Sequence, residues 1–116
     1  MSSRVIFPWL NFINLLADKH VSPKLRKQIL TLCPIELIGA IEEIVLNLQH
    51  FRVAISPETD KKLKHHKNAI KILANLDISL REKRKFLKSE KGRQFLMGAL
   101  PEIIQELKQM PNGEES

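Results

Sequence analysis

Twelve Lys and Arg side chains fall between Lys61 and Arg93: Lys61, Lys62, Lys64, Lys67, Lys71, Arg81, Lys83, Arg84, Lys85, Lys88, Lys91 and Arg93. They face only three carboxylates, Asp77, Glu82 and Glu90. Ammonium and guanidinium groups arrayed in this way neutralise several phosphates together and release the counterions condensed on them. The rest of the chain holds seven basic and ten acidic residues, a net −3 within a total of +6. The positive charge therefore belongs to one region, and a localised positive field attracts a polyanion. A solvated lysine-rich helix face is the competing reading. Aromatic residues within the basic region are limited to Phe86 and Phe95, too few for single-strand stacking platforms, so contact with a duplex backbone is favoured. No helix carries Asn, Gln and Arg spaced to read base edges, so recognition is not sequence-specific.

The remaining candidates for chemistry are sparse. His65-His66 suggests a metal, but adjacent helical residues point about 100° apart and neither Cys nor carboxylate stands at ligand spacing beside them. They read instead as an extension of the basic face that gains charge as pH falls through about 6.5. Cys33 precedes Pro34 without a nucleophile motif and reads as a small packing residue. Glu42 and Glu43 diverge on a helix and read as surface groups. Gly39, Gly92, Gly98 and Gly113 are isolated, so there is no Gly-rich phosphate loop. The expectation is a non-enzymatic protein with no catalytic residue, no metal and no cofactor.

The elements that must present the lysines are helices. Apolar residues recur at three and four, there is no Tyr, and strand signals are nearly missing. A chain of 116 residues with 43% apolar content supports one small core. The expected architecture is an all-α compact bundle of five or six short helices, with a helical domain over 1–110, a basic subregion over 61–93 and a disordered tail from Pro111 to Ser116. The first helix is expected from Phe7 to Lys19. Ser22-Pro23 starts a second, which stops before Pro34, because a Ser hydroxyl caps an orphan amide and Pro has none to lose. Pro34 opens a third, with Ile38, Ile41, Val45 and Leu48 at the centre of the core. Phe51 to Ile55 connects to a start signal at Ser56-Pro57-Glu58. On the helix that follows, Lys61, Lys64, Lys67 and Lys71 fall within one arc of about 120°. Ser79-Leu80-Arg81-Glu82 matches a capping box, and Leu63, Ile70, Leu73 and Leu87 dock the basic helices. Gly92 is expected to interrupt the last basic helix, and Pro101 to kink or restart the final one. The stretch Ser22 to Leu30 echoes Ser79 to Leu87: a cap, basic residues, then an apolar pair. It reads as reuse of helix-start chemistry.

The succession Pro23-Lys24-Leu25-Arg26-Lys27-Gln28-Ile29-Leu30, Glu36-Leu37-Ile38-Gly39-Ala40-Ile41-Glu42-Glu43, Ile55-Ser56-Pro57, Lys61-Lys62-Leu63-Lys64-His65-His66-Lys67 and Ile78-Ser79-Leu80-Arg81-Glu82-Lys83-Arg84-Lys85-Phe86-Leu87 resembles the small basic core-type proteins of Maverick/Polinton elements and adintoviruses. Those proteins are thought to be related to the adenovirus core protein mu. The resemblance spans roughly Val21 to Leu100. It implies a virion-associated protein that binds double-stranded DNA and helps package it, located in the virion core or the host nucleus, with a virion or host protein as a further partner and room for homo-oligomers. Glu58, Asp60, Asn68, Glu82 and Glu90 make the basic region less uniform than the family pattern, and the Gly-rich apolar tail is reduced to Gly92 and Phe95 to Leu100.

The expected phosphate contacts are Lys61, Lys64, Lys67, Lys71, Arg81, Arg84, Lys85 and Lys88. The alternative is a helical protein–protein adaptor, host-domesticated in origin, using an apolar contact patch at Phe95, Leu96, Met97 and Leu100. Membrane-surface attachment through basic amphipathic helices ranks third. The longest apolar run, Ile35 to Leu48, is interrupted by Glu36, Glu42 and Glu43, so no spanning segment is expected, and no secretory signal is read at the start of the chain. An intracellular setting follows from the lone Cys33.

Overall fold

The computed structural model describes residues 7–50 and 55–109. The predicted tail from Pro111 to Ser116 lies outside them, as does the predicted connector from Phe51 up to residue 54.

The chain is all-α. A 3-10 turn, Phe7–Trp9, leads into α1 (Leu10–Ala17), followed by α2 (Pro23–Leu32) and α3 (Ile35–His50). Helix α4 (Pro57–Leu63) runs through a 3-10 turn, Lys64–His66, into α5 (Lys67–Ala74). Then come α6 (Leu80–Leu87) and α7 (Glu90–Gln94), which continues through a π-turn, Phe95–Ala99, into α8 (Leu100–Gln109). These segments join into six rods among the described residues.

Serine chemistry sets most of the starts. Ser22 Oγ accepts from the Leu25 N–H at 3.1 Å, Ser56 Oγ from Thr59 at 3.2 Å and Ser79 Oγ from Glu82 at 3.1 Å, each relieving an amide that the helix leaves unpaired. Pro23 and Pro57 occupy the first turns of α2 and α4, where a missing amide costs nothing. The first helix ends two residues earlier than its apolar pattern suggests. The Asp18 carboxylate accepts from the His20 N–H at 2.8 Å, and this local turn competes with another helical residue.

Helix α3 is the hub, packed by α1, α5, α6 and α8. Ile38, Ile41, Val45 and Leu48 are fully buried, and Leu63, Ile70, Leu73 and Leu87 dock against them as expected. Each such leucine contributes about 2 kcal/mol by leaving water.

One expectation near the end of the chain needs correction. Gly92 does not interrupt a helix. The break falls at Lys88-Ser89, where Ser89 Oγ accepts from the Gly92 N–H at 3.2 Å and starts α7. Gly92 is instead a packing residue, since a Cβ there would lie 2.2 Å from the Phe86 carbonyl oxygen and 2.5 Å from Leu87 Cα. Pro101 stands in the first turn of α8, which begins at Leu100 as the π-turn ends, in line with the helix start expected there.

Candidate nucleic-acid interface

The basic face is built around the 3-10 turn between α4 and α5. A continuous α-helix advances 100° per residue and would spread Lys61, Lys64, Lys67 and Lys71 over about 120°. A 3-10 segment advances about 120° per residue, so residues three apart eclipse. Inserting that turn at Lys64–His66 stacks Lys64 over Lys67 and narrows the four lysines to about 60° of arc. Leu63, Ile70 and Leu73 of the same rod are all buried.

Two adjoining hollows record the result. One, about 530 Å³, is lined by Gln49, Leu63, Lys64, Lys67, Ile70 and Lys71. The other, about 340 Å³, lies between the 3-10 turn and α7, and is framed by Lys64, His65, His66, Lys67, Lys91 and Gln94. Lys64 and Lys67 border both. Neither hollow is lined by a carboxylate, and none of Lys64, Lys67, Lys71 and Lys91 has an ion-pair partner among the described residues.

The two histidines divide in role. His65 is exposed with the lysines. His66 is half-buried, its ring edge-on to Phe95 with centroids 6.4 Å apart, and a Cβ at Gly98 would sit 3.1 Å from its Nε2. Burial, with a smaller contribution from neighbouring His65, holds the His66 imidazole below its usual 6.5. It therefore gains its charge at a lower pH than the 6.5 of the sequence reading.

The α6 cations divide as well. Arg81 and Lys85 are exposed and Lys88 is half-buried; none of them lines either hollow, nor does the exposed Lys61. Arg84, expected on phosphate, donates Nη1 to the carbonyls of Leu30 at 3.2 Å and Thr31 at 2.8 Å, closing the C-terminus of α2. Lys83 is wholly buried and paired with Glu42, which is therefore not the free surface carboxylate the sequence suggests. Lys62 pairs with Glu102 at 3.4 Å, and Arg93 pairs with Glu90. The Glu90 partner holds the Arg93 guanidinium above its ordinary value and its own carboxyl is lowered in return.

The expected apolar contact patch is not a surface. Phe95, Leu96 and Leu100 are fully buried and Met97 half-buried, because the π-turn lays this stretch against α1, α7 and α8. The exposed apolar surface lies elsewhere. A groove of about 380 Å³ between the start of α1 and α2 is lined by Trp9, Phe12, Leu25, Ile29, Leu32 and Leu37 among others, with Phe12 50% and Leu32 81% exposed. The Trp9 and Phe12 rings meet there at 6.2 Å. Cys33 also borders the groove, its thiol raised by burial and 3.5 Å from the Leu30 carbonyl oxygen.

Lys91 and Gln94 were not singled out from sequence as site residues. Reading Ser89-Glu90 as a fresh helix start would have placed them three apart on one face. Among the described residues no three His, Cys, Asp or Glu side chains are grouped to hold a metal ion, and no helix is long and apolar enough to cross a membrane. Compared with protein-family models, curated proteins and solved structures, the chain matches none.

Proposed function

We propose that this protein is a non-enzymatic binder of double-stranded DNA that grips the phosphate backbone through Lys64, Lys67, Lys71 and Lys91. Lys61, Arg81, Lys85 and Lys88 supply the surrounding field. The observation that carries the reading is the pair of adjoining hollows framed by unpaired ammonium groups from two separate rods. Such groups position a duplex without reading its bases. The sequence resemblance to core-type proteins of Maverick/Polinton elements and adintoviruses supports a packaging role, in which weak sequence preference and many contacts along the duplex are what the task requires.

Electrophoretic shifts of a random-sequence duplex test this. With four phosphate contacts the logarithm of the affinity falls against the logarithm of salt with a slope of about −3.6, and Lys64→Glu with Lys67→Glu removes about half of it. A shift indifferent to added salt, or none at low salt, overturns the proposal.

A second reading, a helical adaptor, is favoured by one observation. The apolar groove beside Phe12, Leu25 and Leu32 suits the apolar face of a partner helix. Binding of a protein partner that survives charge reversal at Lys64 and Lys67 but is lost with Leu32→Asp supports it; the opposite pattern rejects it.

A further inference from the structure

We propose that the hollow between the Lys64–His66 turn and α7 seats one backbone phosphate of the bound duplex, and that His66 takes up a proton as it enters, so that binding tightens on acidification. The inference rests on the DNA-binding reading above and adds a site and a chemical coupling to it.

The geometry supplies the argument. Lys64, His65, His66 and Lys67 come from one rod and Lys91 from another, around a space of about 340 Å³. On its own rod the charged and titratable groups around the hollow are Lys64, His65 and Lys67, beside the neutral Asn68. From α7 come Lys91 and the neutral Gln94, and from the π-turn Phe95 and Gly98 lie against the His66 ring. Glu90, next to Lys91 in sequence, is turned to Arg93. In the free protein burial, and after it neighbouring His65, disfavours the His66 imidazolium, and the hollow beside it is framed by ammonium groups. A phosphate arriving in the hollow brings negative charge to the His66 ring. By linkage, whatever binding does to its proton affinity, protons do to binding.

The effect is separable from the rest of the basic face. Lysines stay charged and surface carboxylates stay ionised between about pH 8 and about pH 6, which leaves histidine as the side chain that titrates there. If the bound phosphate makes His66 titrate about one pH unit higher, the affinity rises several-fold across that window, with the full factor of about ten reached only below the free group's own value.

The test is fluorescence anisotropy of a labelled random-sequence duplex at fixed ionic strength, at both pH values, for the wild-type chain and for His66→Gln. The expected result is a several-fold tightening in the wild type on going to the lower pH and a clearly smaller one in the variant. As a second readout, the ring-proton resonances of His66 in the wild-type chain are titrated with and without duplex, and its titration is expected to move upward in pH when DNA is bound. Salt-sensitive binding that is equally tight at both pH values, equal pH dependence in the variant, or a His66 titration unmoved by DNA overturns this inference and leaves backbone binding standing. No binding at low salt at either pH overturns both.

Discussion

At the scale of single residues, two of the cations that look superficial on paper are buried. Arg26 is almost fully buried, donating Nε to the Leu16 carbonyl at 2.8 Å and Nη2 to those of Asp18 at 2.8 Å and Val21 at 3.0 Å. Lys83 is buried on Glu42. Both stand four residues after a capping serine, so the echo between Ser22–Leu30 and Ser79–Leu87 extends to an inward cation. Gly92 is the sharpest small-residue requirement. Gly92→Ala drives a methyl into the Phe86 carbonyl, backbone that cannot swing aside, and is expected to cost about 3 kcal/mol in chemical denaturation while leaving the basic face in place. Glu106 offers a pH test. Its carboxylate accepts from Thr59 Oγ1 at 2.6 Å and Ser56 Oγ at 2.8 Å, and these hydroxyls hold it below its usual 4.5. A carboxyl more acidic in the folded chain than in the unfolded one contributes its stability above the unfolded value. That stability is lost as pH falls through the folded value. Glu106→Gln should therefore lower Tm at neutral pH and shrink the fall in Tm between about pH 6 and about pH 3.

At the scale of elements, sequence was informative where local chemistry decides. Three Ser-led starts and the stop before Pro34 are visible because each depends on one or two adjacent side chains. The 3-10 turn at Lys64–His66 and the π-turn at Phe95–Ala99 were not visible, since neither is marked by a capping side chain that sequence could show. The π-turn also explains why an apolar run that reads as a contact patch becomes core. Helix ends provide a prediction at this scale. Arg84 closes α2, so Arg84→Met should destabilise the fold by about 1 to 2 kcal/mol through loss of charge-assisted bonds to its carbonyls. The same change should leave DNA affinity within about twofold of wild type, whereas Lys67→Met weakens it several-fold. Anisotropy and denaturation on the two variants check both halves.

At the scale of the whole molecule, charge asymmetry was legible and its detailed use was not. Composition places the positive excess between Lys61 and Arg93, yet the fold diverts Lys62, Lys83, Arg84 and Arg93 to internal partners and leaves Lys64, Lys67, Lys71 and Lys91 around shared hollows. Sequence cannot reveal that division, because the carboxylates and carbonyls that capture the first set lie up to 54 residues away in the chain. The helical class and the central role of α3 were within reach of periodicity alone, as burial of Ile38, Ile41, Val45 and Leu48 follows from spacing.

The two arginine closures have a kinetic corollary. Arg26 fastens α2 to the end of α1, and Arg84 fastens α6 to the end of α2, so a clasp runs from the first rod to one more than fifty residues downstream. Opening α6 uncovers α2, and opening α2 uncovers α1. In native-state hydrogen exchange the amides of these three helices should accordingly become labelled together with a common opening free energy, instead of fraying one rod at a time.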